Sequence, residues 1–218
     1  MRKGILSIVL LWLCSIATYA QEITSDDGNN QHPGLIKNPS FEDEAKPIRN
    51  RRFGPNGEGE LFGGYLPAGI IPGWFVIDGK ERTSKIETTA ENLLDATQHK
   101  ALCWTITQAS ATLPVAIANV GFHGIETIEG HKYTLIFWAR ADKQYKGNIQ
   151  VGLQSKSDGI WYAQSSVKGK IKKRWKKYTL TFTAEQSDEN ARFVIMTDKP
   201  GTLYLDEVSL YSPAAIKR

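Results

Sequence analysis

This sequence predicts an all-β chain folded as an antiparallel β-sandwich of jelly-roll type, and three observations carry the prediction. From Leu35 to Tyr211 almost every patterned segment alternates apolar and polar residues, the period of two that a strand burying one face requires. These segments are rich in Val, Ile, Thr, Trp, Tyr and Phe, and clusters such as Ser157-Asp158-Gly159 separate them. No long helical periodicity intervenes, and many short strands without crossover helices pack as two antiparallel sheets.

Taken in order, the chain opens with a secretory signal over residues 1–20. Arg2-Lys3 form its positive start, Gly4 to Ala17 an apolar stretch short for a bilayer, and Thr18-Tyr19-Ala20 a small-residue cleavage site. Leu13 before Cys14 argues against a lipid anchor. Residues 21–34 are polar and turn-rich and read as a flexible leader. The domain then runs over 35–213, with 214–218 as a tail. Strands are predicted over 35–41, 73–77, 84–89, 101–108, 112–122, 131–141, 147–155, 160–167, 174–183, 191–197 and 202–211, and a short helix over Thr89 to Thr97. In the last strand Leu203, Leu205, Val208 and Leu210 face a core, and the step from Leu205 to Val208 breaks the period as a bulge does. Phe53 to Gly73 carries seven glycines and three prolines, too many for regular structure, and makes either a binding loop or a mobile one.

Composition excludes several classes. Loss of the signal removes Arg2 and Lys3 and no acid, so the formal charge falls from +4 to +2, which argues against general nucleic-acid or membrane-surface binding. Of two cysteines only Cys103 remains, in an apolar run where burial is expected, so the fold rests on its core. Residues 168–178 (KGKIKKRWKKY) hold seven basic residues; a solvated hairpin leading into an edge strand accounts for them, with acidic-polysaccharide binding as the minor alternative. The expectation is an exported, monomeric, soluble protein.

A family resemblance rests on five pieces in order: Asn38-Pro39-Ser40-Phe41-Glu42, Gly73-Trp74, Tyr133 to Arg140 (YTLIFWAR), Trp175-Lys176-Lys177-Tyr178, and Leu205-Asp206-Glu207-Val208-Ser209-Leu210. Together they resemble the carbohydrate-binding modules of families 4 and 9, which implies a galactose-binding-like sandwich. Val120 to Ile125 (VGFHGI) followed by Glu129-Gly130-His131-Lys132-Tyr133 is similar to the module attached to family 51 α-L-arabinofuranosidases. Those enzymes carry two catalytic glutamates on a following barrel, and this chain ends at Arg218, so the resemblance implies the accessory domain. It also implies a structural calcium between the opening and closing strands. By position Glu42 and Asp206 supply its carboxylates; Asn38 either contributes or only forms a turn. The alternative is that Glu42 and Asp206 cap turns or pair with lysines.

Sugar binding requires flat aromatic faces beside planar polar groups. Alternation along 131–141 puts Trp138 and Arg140 opposite Tyr133, Leu135, Phe137 and Ala139; along 147–155 it puts Gln150 and Gln154 opposite Ile149, Val151 and Leu153. If the aliphatic faces make the core, Trp138, Arg140, Gln150 and Gln154 line one exposed surface suited to a glycan. The bland alternative is a packed Trp138 and glutamines on a solvated sheet. Trp161 and Tyr162 point to opposite faces, so one of them is exposed, and Phe62 and Tyr65 are further ligand candidates. Trp74, Trp104 and Trp175 occupy core-like positions. No nucleophile elbow or metalloprotease motif occurs; Glu58 with Glu60, or Glu126 with Glu129, are carboxylate pairs of unset separation, and His123 reads as a turn residue. The expected partner is therefore a plant-type polysaccharide, a hemicellulose or arabinose-containing glycan. The rivals are a divergent arabinofuranosidase fragment and a cell-surface assembly sandwich.

Overall fold

The computed structural model describes residues 34–44 and 70–213. In it the alternation resolves into β1 (Trp74–Ile77), β2 (Thr83–Thr89), β3 (Ala101–Gln108), β4 (Val115–Asn119), β5 (Ile125–Thr127), β6 (Lys132–Ala141), β7 (Ile149–Gln154), β8 (Trp161–Ser166), β9 (Lys176–Thr183), β10 (Asp188–Thr197) and β11 (Gly201–Tyr211). One sheet has the order β1-β4-β10-β7-β8, with β5 against the start of β10; the other has β2-β3-β11-β6-β9. We call them the β10 sheet and the β11 sheet after their central strands. Neighbours are antiparallel throughout.

The inner faces meet in one core. Ile117, Val151, Leu153, Phe193 and Ile195 of the β10 sheet are buried in the same cluster as Leu102, Trp104, Leu135, Phe137, Leu203 and Leu205 of the β11 sheet. Each such side chain contributes about 2 kcal/mol through lost apolar surface, which is how the sandwich holds without a disulfide. Trp74 joins the core between Phe41 and Phe193, with ring centroids 5.2 and 6.3 Å away, and its Nε1–H donates to the Asn38 carbonyl at 3.0 Å.

Several expectations change. Residues 35–41 form bends rather than a strand: Asn38 and Phe41 have φ of 53° and 60°, and Pro39 has no N–H for a ladder. The segment still lies beside the closing strand, since Leu35 N–H donates to the Leu210 carbonyl at 2.8 Å and Val208 N–H to the Pro39 carbonyl at 2.9 Å. Thr89 to Thr97 is no helix. Thr89 Oγ1 accepts from Glu91 N–H and Asp95 Oδ1 from Thr97 N–H, local bonds that compete with helical ones, and Asn92 has φ of 51°. The bulge in β11 is present: pairing with β6 shifts register between Asp206 and Ser209, with Glu207 at φ 49°. Strand β5 had no counterpart in the predicted set.

The signal segment, the leader up to residue 33, the tail and residues 45–69, with Glu58, Glu60, Phe62 and Tyr65, lie outside the described residues. Among the described residues no helix is long and apolar enough to cross a membrane.

Candidate functional site

The expected single surface divides in two. Trp138 and Arg140 lie on β6 in the β11 sheet, whereas Gln150 and Gln154 lie on β7 in the β10 sheet. Each pair does point away from the core, because Leu135, Phe137, Ala139, Ile149, Val151 and Leu153 are buried. Since the two inner faces share that core, the pairs sit on opposite outer faces and line no common cleft.

The outer face of the β10 sheet collects most of the polar and aromatic candidates. Register places three rows across it. Ile77, Ala116, Met196, Gln150 and Ser166 form one; Phe75, Ala118, Val194, Gly152 and Gln164 the next; Arg192, Gln154 and Trp161 the third. The middle row is made of small side chains from β4 to β7. Ala116, Ala118 and Val194 are buried although they point away from the core, with Ile77, Trp161 and Met196 packed against them. A low row between taller neighbours is a trough running across the strands, and those neighbours pack over its floor, since Ala118 and Val194 are 0% exposed. At about 4.8 Å per strand it spans about 10 Å from β4 to β7.

Gly152 closes the trough at β8. A Cβ there would lie 1.9 Å from the Ala163 carbonyl oxygen, so only glycine lets β8 rise against the face. The pairing of β7 with β8 shifts register between Leu153 and Gln154, which sets Trp161 opposite Gln154. Trp161 and Tyr162 are both half-buried, and Trp161 is the one packed on the outer cluster. Gln150 Nε2 donates to Gln164 Oε1, which fixes both amides beside the trough. Phe75, 39% exposed, stands at the β1 end.

One flank of this face is a depression of ≈ 400 Å³, lined among others by Ile77, Arg82, Gln154, Lys156, Asp158 and Arg192. Gln154 is buried, and its Oε1 accepts from Arg192 Nη2 at 3.2 Å. Arg82 donates to the Pro114 carbonyl at 3.1 Å, and Lys156 to Asn190 Oδ1. Arg192, Arg82, Gln164 and Met196 went unread in the sequence. The alternation Ala191-Phe193-Ile195-Thr197 against Arg192-Val194-Met196 carried the signal, since the first set is buried.

The outer face of the β11 sheet is internally committed. The Arg140 guanidinium carbon lies 3.5 Å from the Tyr204 ring centroid and 5.3 Å from that of Trp175, and its Nη2 donates to the Glu91 carbonyl. Trp175 Nε1 donates to the Asn92 carbonyl at 2.7 Å. Trp175, expected in the core, therefore packs outside it, because β9 is an edge strand and its preceding loop reaches over β6. Trp138 is half-buried, in register with Lys177 and Asp206. Cys103, expected to be buried, is half-buried on this side of β3, opposite Tyr204.

Asp206 is 0% exposed, and its Oδ2 has no hydrogen-bond partner while Oδ1 accepts from Glu207 N–H at 2.8 Å. Burial pushes its carboxyl up to about 7, aided by the nearby carboxylates of Glu207, Glu42 and Asp95. An orphaned buried carboxylate among other carboxylates suits a hard cation with oxygen ligands. Glu42 Oε1 accepts from the N–H groups of His99 and Lys100 at 2.7 and 2.8 Å. Asn38 uses both ends of its amide in the turn, donating to the Pro72 carbonyl and accepting from Asp43 N–H. Among the described residues no three of His, Cys, Asp and Glu gather as a metal cluster, so a cation here would draw on backbone carbonyls as well.

Comparison with known proteins agrees with this architecture. The chain is 25% identical over 174 residues to alpha-L-arabinofuranosidase 2 of Arabidopsis thaliana, a match covering 76% of this chain and 24% of that protein. It thus spans about a quarter of the length of the curated relative it matches. An arabinose-bound α-L-arabinofuranosidase superposes with a TM-score of 0.62 at 19% identity, over 83% of this chain and 26% of that one. A Stig cyclase from Fischerella sp. TAU superposes with a TM-score of 0.52 at 17% identity, over 82% and 96%. At such identities these two likenesses speak to the sandwich alone. Residues 34–201 match the family model described as a carbohydrate binding domain, and the chain belongs to that family, the carbohydrate-binding domains of the 4/9 type.

Proposed function

We propose that this chain is an exported, non-catalytic module that binds plant-type polysaccharide, a hemicellulose or arabinose-containing glycan, on the outer face of the β10 sheet. The observation that carries the reading is the row of small residues, Ala118, Val194 and Gly152, flanked by Trp161 and by the amides of Gln150, Gln154 and Gln164. A sugar ring laid over the side chains that cover the row puts its apolar face against Trp161 and its hydroxyls toward the amides, which both donate and accept. The amides are held by one another and by Arg192, so ordering them on binding costs little.

Affinity electrophoresis of the exported chain in gels containing arabinan, arabinoxylan, xylan or β-glucan tests this. Retardation by at least one polymer, lost in Trp161→Ala and kept in Trp138→Ala, is the expected result. Loss in Trp138→Ala alone would move the site to the other sheet. No retardation from a folded sample would favour an assembly role instead.

Calcium is part of the proposal. Asp206 and Glu42 would supply carboxylate oxygens, with Asn38 as part of the turn beside them and backbone carbonyls completing the shell. The ion would neutralise the buried Asp206 and tie the opening segment to β11. A chelator should then lower the melting temperature of the chain, and added calcium should restore it; no change on either addition would remove calcium from the account.

A further inference from the structure

The depression beside the trough carries more positive charge than a site for a neutral sugar needs. Arg82, Lys156 and Arg192 line it, against the single carboxylate of Asp158. Among the described residues none of these three cations lies within an ion-pair distance of a carboxylate; the pairs that form are Lys85 with Glu87, His99 with Glu42, and Lys100 with Glu44. Arg192 is half-buried, its Nε is sealed without a partner, and its one named bond goes to the neutral Gln154. Burial works against its charge and draws the guanidinium below its ordinary value. A cation held against a cavity without a counter-charge is poised for an anion brought by a ligand.

We propose that Arg192 and Arg82 recognise a carboxylate on the bound glycan, making uronic-acid-bearing polysaccharide the preferred ligand class; this rests on the reading of the β10 sheet as the glycan face. The geometry favours a carboxylate. Each arginine has five N–H donors and gives one to the protein, so a planar fork of donors remains on each. The depression is lined from both rows that flank the trough, by Ile77, Ala116 and Met196 on one side and by Gln154 and Arg192 on the other. A sugar in the trough can therefore extend a side branch or a ring carboxylate into it. Asp158 is turned to its own loop, accepting from Ile160 N–H at 3.1 Å, and so leaves the cations to the ligand.

The test compares glucuronoarabinoxylan with the same polymer after its carboxyl groups are reduced to alcohols, titrated calorimetrically into the chain at low and high salt. The acidic polymer should bind about tenfold more tightly than the reduced one, and the difference should shrink with salt. Arg82→Gln should remove most of that preference while affinity for the reduced polymer stays within about twofold; Arg192→Gln, which also releases Gln154, should remove the preference and weaken binding of both polymers, and two variants keep the result readable if one fails to fold. Equal binding of both polymers overturns the uronic-acid inference and leaves the glycan reading standing. Binding of neither polymer, nor of neutral arabinan or β-glucan, overturns both.

Discussion

Arg140 on the outer face of the β11 sheet and Arg192 on the outer face of the β10 sheet are both half-buried, and both leave Nε without a partner. Their planes are used differently. Arg140 lies between Tyr204 and Trp175 and donates to the Glu91 carbonyl, so both faces and one donor serve the protein. Arg192 has only Gln154 and borders a cavity. Aromatic, amide and guanidinium groups on an outward face therefore do not identify a glycan site by themselves. What separates the faces is the guanidinium: two aromatic rings cover that of Arg140, whereas that of Arg192 has one amide partner and borders a cavity.

The largest effect that sharpens this contrast concerns Asp206 on the committed face. Its folded-state value, about 7, lies above the ordinary 3.8, so the metal-free folded chain holds the proton more tightly than the unfolded chain does. Stability of the metal-free chain is then fully present below about pH 4 and falls as pH rises to about 7, by on the order of 4 kcal/mol. Asp206→Asn should flatten that decline and abolish the response to calcium, read by thermal unfolding in chelator and in calcium. Next in size is Gly152→Ala, which must displace β8 and should cost about 3 kcal/mol in denaturant unfolding while abolishing polysaccharide binding. Trp161→Ala should weaken binding by about 2 kcal/mol, roughly thirtyfold, and lower stability by about 1 kcal/mol by uncovering the outer cluster. Smallest is Arg140→Ala, expected to lower stability by about 1 kcal/mol through the lost ring contacts and to leave affinity within twofold. An affinity loss there with stability intact would erase the distinction between the faces.

Much of the fold was legible because alternation reports burial directly. Tyr133, Leu135, Phe137 and Ala139 face inward as their spacing requires, and the break at Asp206-Glu207 is the bulge it implied. The shared surface was misread because alternation distinguishes inside from outside but is silent on which sheet a strand joins. β6 and β7 are adjacent in sequence, yet β6 pairs with β9 and β11 while β7 pairs with β8 and β10. Pairing follows from the whole set of strand partners, which no single segment encodes. Likewise Asn38, Phe41, Asn92 and Glu207 adopt positive φ, a conformation that residue type only weakly signals outside glycine. Gln150, Gln154 and Trp161 came together on one face, whereas Arg192 became visible only once β10 stood beside β7.

The central claim is that ligand lies on the β10 sheet and leaves the β11 sheet untouched. Following the indole N–H signals by NMR during titration with an arabinoxylan oligosaccharide tests it most directly, because each outer face carries its own tryptophans. Movement of the Trp161 signal, with those of Trp138 and Trp175 fixed, is the result predicted here. Movement of Trp138 or Trp175 with Trp161 fixed would contradict it.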